Sequence, residues 1–186
     1  MTRPGPGLPY PVISPCMVKL NHSMVALTGG YNKDDVFDMV SYYNQETGKW
    51  FNGPQMPSPK YDHGCATMVI NGSDYLVLAG GTGYYATNSD SVEILNLSTN
   101  QWTKGPKLPG SRYGLKLVQT SLLDGVYAIG GISPDGFSDK VLQMHCSKPG
   151  GLMESCEWKL KQQLLNPRAY FLALPIPNAL SISCDE

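Results

Sequence analysis

Apolar residues fall along this chain in short runs, each closed by glycine and followed by a polar stretch. The clearest case is Tyr75-Leu76-Val77-Leu78-Ala79, which runs into Gly80-Gly81. Before it lies a second apolar run, Gly64 to Ile70, and Asn71-Gly72-Ser73-Asp74 between them is a hairpin signal. After Gly81 a polar loop leads to Val92-Glu93-Ile94-Leu95, and a turn over Leu97 to Asn100 leads to Trp102. Such runs predict four short antiparallel strands, here named A to D. Strand B is apolar almost without interruption, which predicts burial on both faces. Stacked four-stranded sheets provide that environment.

The pattern repeats. Glycine pairs stand at Gly29-Gly30, Gly80-Gly81 and Gly130-Gly131, spaced 51 and 50 residues apart. Tryptophan occurs only at Trp50, Trp102 and Trp158, spaced 52 and 56. Strand C recurs as Val40-Ser41-Tyr42-Tyr43, Val92-Glu93-Ile94-Leu95 and Val141-Leu142-Gln143-Met144, and the phrase Trp-x-x-Gly-Pro-x-(Leu or Met)-Pro closes the first two units. Four elements in fixed order with a period near 50 residues mark a repeat architecture.

These features resemble the kelch-repeat β-propellers of the galactose oxidase and kelch type. The match rests on the strand ending in Gly-Gly, the strand-C pattern, and a Trp 21 and 22 residues after the first Gly in the first two units. It covers roughly residues 12 to 175. The strand-C Tyr of the family stands at Tyr43 but is Leu95 and Met144 in the later units, and the third unit is six or seven residues longer between Gly130 and Trp158. The resemblance implies an all-β propeller in which the glycines turn the chain and the tryptophans anchor packing between blades.

Three blades are expected at about 12–54, 59–106 and 111–162. Gly5-Pro6-Gly7-Leu8-Pro9 repeats the exit phrase of strand D, and Asn166 to Leu174 reads as one further strand A, at about 167–175. The expectation is three complete blades plus one strand, so that residues 1–186 form one partial propeller. Propellers close with about 4–8 blades. The chain therefore reads as the C-terminal half of a longer one; the alternative is an open half-propeller that closes by dimerising. Open blade faces invite self-association.

Composition supports this reading. Gly and Pro make 35 of 186 residues, 41% are hydrophobic and only 16% charged. A disordered chain would be charge-rich and poor in aromatics. Net charge is −1 with no strongly basic segment, so no nucleic-acid footprint is present. There is no apolar run long enough to span a membrane, and no signal peptide begins the sequence.

The five cysteines are Cys16, Cys65, Cys146, Cys156 and Cys184, with no zinc spacing among them. Cys146 and Cys156 flank the insertion of the third unit between strands C and D, where a disulfide can form; two free thiols are the alternative. A disulfide implies an oxidising compartment. Asn21, Asn71 and Asn96 begin Asn-x-Ser sequons in expected turns. These signs favour an extracellular over a cytoplasmic protein.

Catalysis has little to build on. His22, His63 and His145 lie in different units, and Asp34, Asp35 and Asp38 sit in a loop. The copper ligands of galactose oxidase have no counterparts at matching positions. No cofactor or metal is expected, and the reading is a non-enzymatic protein that binds a protein partner. The loops after the glycine pairs carry the candidate contacts Tyr31, Asn32, Lys33, Asp34, Tyr84, Tyr85, Asn88, Asp135 and Phe137. Lys60, Arg112 and Arg168 at the starts of the A strands are candidates for binding acidic peptides, as the resemblance implies. Two alternatives remain: a fragment of a galactose-oxidase-like enzyme, or of a cullin ubiquitin ligase substrate adaptor whose other domains lie elsewhere.

Overall fold

A computed structural model describes residues 7–70, 72–120, 125–146 and 156–175. Strand B's two-sided apolar character resolves into two separate interfaces. In the second sheet, Leu76 and Leu78 join a core cluster with Ala26, Val40 and Tyr42 of the first sheet. Their neighbours Val77 and Ala79 point the other way, into a cluster with Leu117, Val126 and Leu142 of the third. Side chains alternate across a strand, so one apolar run feeds both seams.

The first sheet holds β1 (Cys16–Lys19), β2 (Met24–Thr28), β3 (Val40–Asn44) and β4 (Lys49–Asn52). The second holds β5 (Gly64–Ile70), β6 (Ser73–Ala79), β7 (Val92–Asn96) and β8 (Gln101–Lys104). The third holds β9 (Lys116–Gln119), β10 (Val126–Ile129), β13 (Lys140–Cys146) and β14 (Cys156–Gln163). Each is an antiparallel meander whose strands pair in chain order. A small hairpin, β11 (Ile132–Ser133) with β12 (Gly136–Phe137), stands in the third B–C loop. The only helical element among the described residues is a three-residue 3₁₀ turn at Tyr84–Ala86. The three sheets are blades I to III of a kelch-type β-propeller.

Strand β6 begins two residues earlier than its apolar run, because Ser73 pairs with Ile70 and tightens the hairpin. Asn71 lies outside the described residues, as do Gly5, Pro6 and Cys184. Residues 159–163 extend the ladder of β14 and are not helical, and its pairing with β13 carries one register shift, between Val141 and Leu142.

The inner strands meet around a common axis through a chain of backbone hydrogen bonds. Asp62 N–H donates to Ser14 C=O at 3.2 Å, Gly114 N–H to Asp62 C=O at 2.8 Å, and Tyr170 N–H to Gly114 C=O at 2.9 Å. All four residues hold φ between 51° and 64°. Three of them carry side chains, so tertiary bonding holds non-glycine residues in a region they seldom occupy.

This ring reaches Tyr170, so the segment after blade III arrives where a fourth strand A belongs. The expected strand at about 167–175 is nonetheless absent: the described residues there form no ladder. A strand needs a hydrogen-bonded neighbour, and no described strand B lies beside this segment. Ala173, Leu174 and Pro175 instead border a cavity of about 320 Å³ with β1, β5 and β9.

The tryptophans are half-buried, less than packing anchors were expected to be. Trp102 and Trp158 face the preceding blade, and their indole N–H matters as much as their area. Trp102 Nε1 donates to Pro54 C=O at 3.3 Å and Trp158 Nε1 to Pro106 C=O at 2.8 Å. Both acceptors belong to the Gly-Pro of the previous exit phrase. Trp50 Nε1 has no acceptor among the described residues.

Two disulfides close the structure. Cys146 and Cys156 are register partners on β13 and β14, with Cα atoms 3.9 Å apart. Cys16 and Cys65 join blade I to blade II with Cα atoms 6.0 Å apart. Cys16 occupies the strand-A position of Gly64, and Cys65 stands one residue further along its own strand, so the two face each other across the seam. Across the next seam the same opposition sets Gly64 against Leu117.

Candidate protein-binding face

The B–C loops emerge at one end of the blades because strand B ends there in its glycine pair. At Gly80 the chain turns with φ +67°, and a Cβ would stand 2.4 Å from Arg112 C=O. Only glycine tolerates both conditions. The next amide, Gly81 N–H, donates to Arg112 C=O at 2.9 Å. The same bond joins Gly30 to Lys60 (2.9 Å) and Gly131 to Arg168 (2.8 Å).

The first two of these basic residues are buried, which corrects their expected place on the surface. Lys60 is 2% exposed, and its Nζ lies 2.9 Å from Glu93 Oε1 and 3.0 Å from Ser91 Oγ. Burial pushes its pKa below the ordinary lysine value, opposed by the Glu93 carboxylate. Arg112 is also 2% exposed and donates to Gly130 C=O at 3.5 Å. Burial lowers its pKa as well. Neither side chain is available to an acidic peptide. Arg168 remains exposed, with Nε on Asn166 C=O at 3.2 Å.

The loop residues divide. Asn32 is spent on its own loop, its Oδ1 accepting from Asp34 N–H and Asp35 N–H at 2.9 Å. Tyr31 lies half-buried with its ring 4.6 Å from that of Tyr61. Lys33 and Asp34 are exposed. Asn88 Oδ1 accepts from Thr82 Oγ1 at 3.1 Å. Tyr84 crosses between blades, donating from its hydroxyl to Asp35 Oδ1 at 2.5 Å and to Val36 C=O at 3.3 Å. The Asp35 bond raises the Tyr84 pKa. Tyr85, at φ 57°, is fully exposed. Asp135 sits in the turn of the β11–β12 hairpin, and Phe137 is 63% exposed on β12. Among the described residues no hydrogen bond or ring contact ties this hairpin to the Tyr84–Asp35 pair.

A second group borders the axis. Asp62, His63, Lys116 and Tyr170 line a cavity of about 140 Å³, and Tyr170 Oη donates to Asp62 Oδ2 at 3.0 Å. His63 Nε2 shares a 2.8 Å hydrogen bond with Thr28 Oγ1, while Nδ1 has no partner among the described residues. Burial, with Lys60 and Lys116 nearby, pushes the His63 pKa down to about 3. Sequence reasoning weighed His63 and Asp35 only for catalysis and passed over Asp62, Lys116 and Tyr170. A signal existed: Tyr61 and Tyr113 directly follow Lys60 and Arg112, and Tyr170 stands two residues after Arg168. Among the described residues no three His, Cys, Asp or Glu side chains gather as metal ligands, and no helix is long and apolar enough to cross a membrane.

Repeated four-stranded blades, with Gly-Gly at the end of strand B and Trp on the preceding exit phrase, define a kelch-type propeller. The chain is similar to the kelch-repeat family: the kelch motif model matches residues 63–109, which is blade II. It is 28% identical over 126 residues to Kelch-like protein 40 of Xenopus tropicalis, covering 68% of this chain and 19% of that protein. The chain thus spans about a fifth of the length of the curated relative it matches. The solved structure of YjhT superposes with a TM-score of 0.64 at 18% identity, over 86% of this chain and 54% of that one.

Proposed function

We propose that this chain is a non-catalytic propeller segment that binds another protein through its B–C loop face. The observation that carries this reading is the Tyr84–Asp35 bond between blades, which fuses two loops into one surface with Tyr85 fully exposed beside it. Exposed aromatic rings among carboxylates and a lysine suit recognition, because tyrosine contributes area, little rotamer entropy and a polar tip. Phe137 adds a second apolar contact on blade III. Lys60 and Arg112 are buried and stiffen the seams beneath the loops, which leaves Arg168 as the exposed basic candidate.

The test compares the immobilised chain with a Tyr85→Ser/Phe137→Ser variant and with Lys49→Ser at the opposite end of blade I. A bound protein should be retained by the parent and by Lys49→Ser and fall at least about tenfold in the loop variant. Equal retention by all three, or loss only in Lys49→Ser, would place the contact elsewhere.

A further inference from the structure

We propose that Asn21 is the acceptor of an N-linked glycan whose first sugars lie over the groove between the turn ends of blades I and II. Asn21-His22-Ser23 is a sequon, and the fold places it in the β1–β2 turn with Asn21 and His22 exposed. Asn21 Oδ1 accepts from Ser23 N–H and Met24 N–H, each at 3.0 Å. The oxygen and nitrogen of an amide point apart, so with the oxygen held inside the turn the nitrogen faces outward. Nδ2, the atom that glycosylation modifies, has no partner among the described residues.

Two further observations point the same way. Cys16–Cys65 and Cys146–Cys156 are both bonded, and disulfides persist in the oxidising compartments where N-glycans are attached. Beside Asn21 lies a groove of about 390 Å³ lined by Leu20, Met24, Tyr42, Phe51 and Leu97, with Asp74, Ser98 and Asn100 at its rim. Phe51 is 46% exposed there. An apolar floor with an aromatic ring and a few polar groups fits the mixed faces of an N-acetylglucosamine pair. Asn96 makes the same kind of turn, its Oδ1 accepting from Ser98 N–H and Thr99 N–H. It is only half-exposed, and Leu97 of its tripeptide packs against the seam cluster. Asn21 is therefore the favoured acceptor of the two.

The transfer uses a lipid-pyrophosphate-linked oligosaccharide and its transferase. Nδ2 forms a bond to the anomeric carbon of the reducing-end N-acetylglucosamine, the bond from that carbon to the pyrophosphate oxygen breaks, the amide gives up one proton, and lipid pyrophosphate leaves. A–B turns and B–C loops lie at opposite ends of each blade, so the glycan leaves the protein-binding face clear. This inference does not rest on the protein-binding proposal.

The test is the full chain secreted from animal cells behind a cleavable signal, digested with trypsin and treated with peptide N-glycosidase F in ¹⁸O-water. Labelled aspartate at position 21 is expected, together with a mobility shift that the glycosidase removes. Ser23→Ala keeps Asn21 in its turn and should abolish the label, whereas Ser23→Thr should retain it and controls for folding. A secreted, disulfide-bonded parent whose Asn21 peptide is unmodified overturns the proposal, as does label confined to Asn71 or Asn96.

Discussion

Lys60 and Glu93 form a 2.9 Å ion pair inside the seam between blades I and II, with Ser58 Oγ donating to the same carboxylate oxygen at 2.6 Å. Blade III places Leu142 at the position of Glu93, since each pairs with the residue two before its glycine pair. Replacing Lys60 by Met should strand the Glu93 charge and cost about 3–5 kcal/mol. Lys60→Met with Glu93→Leu, the apolar choice that blade III makes, should recover most of that loss. Urea unfolding of the two single variants and the double closes the cycle, and additive losses would refute the coupling.

His63 gives the fold an acid-sensitive point. Its pKa is about 3 when folded against 6.5 for the free side chain. Between these values the unfolded chain binds the proton and the native one does not. The contribution is therefore intact above about pH 6.5 and is lost as pH falls toward 3, at up to about 1.4 kcal/mol per pH unit. His63→Gln should flatten the stability profile between pH 6 and 4, measured by denaturant midpoints. A slope unchanged by the substitution would show that other groups govern it.

The two disulfides should contribute unequally. Cys16–Cys65 spans 49 positions and Cys146–Cys156 spans 10. In the chain-entropy account these correspond to about 4 and about 3 kcal/mol. Removing the first pair by Ala substitution should lower the melting temperature more than removing the second. The reverse order would mean that the cross-blade link acts through something other than restraint of the unfolded chain.

Trp102 should separate packing from hydrogen bonding. Trp102→Phe keeps a ring in the seam but removes the donor to Pro54, a loss of about 1 kcal/mol. Trp102→Ala removes both and should cost about 3 kcal/mol, the low end for a large aromatic because the ring is half-buried. Equal midpoints for parent and Trp102→Ala in thermal unfolding would exclude the seam role.

The blades were legible in the sequence because local constraints write themselves into it. A turn at which a Cβ would stand 2.4 Å from a neighbouring carbonyl oxygen admits only glycine, so Gly80 and its counterparts repeat with the blade. A strand buried on both faces must be apolar throughout, which marks β6, and a hairpin insertion bracketed by Cys146 and Cys156 shows its cross-link in one dimension. The seams were not legible. Whether Lys60 reaches solvent or Glu93 depends on where one blade rests on the next, and no pattern within one repeat encodes that. Cys16 meets Cys65 because adjacent positions on neighbouring inner strands face each other across a seam. The segment through Tyr170 carries the residues of a strand yet forms none, since a strand exists only through a partner's hydrogen bonds. Sequence alone determined the repeat and its turns; tertiary contact between repeats decided which polar residues are buried and which form a surface.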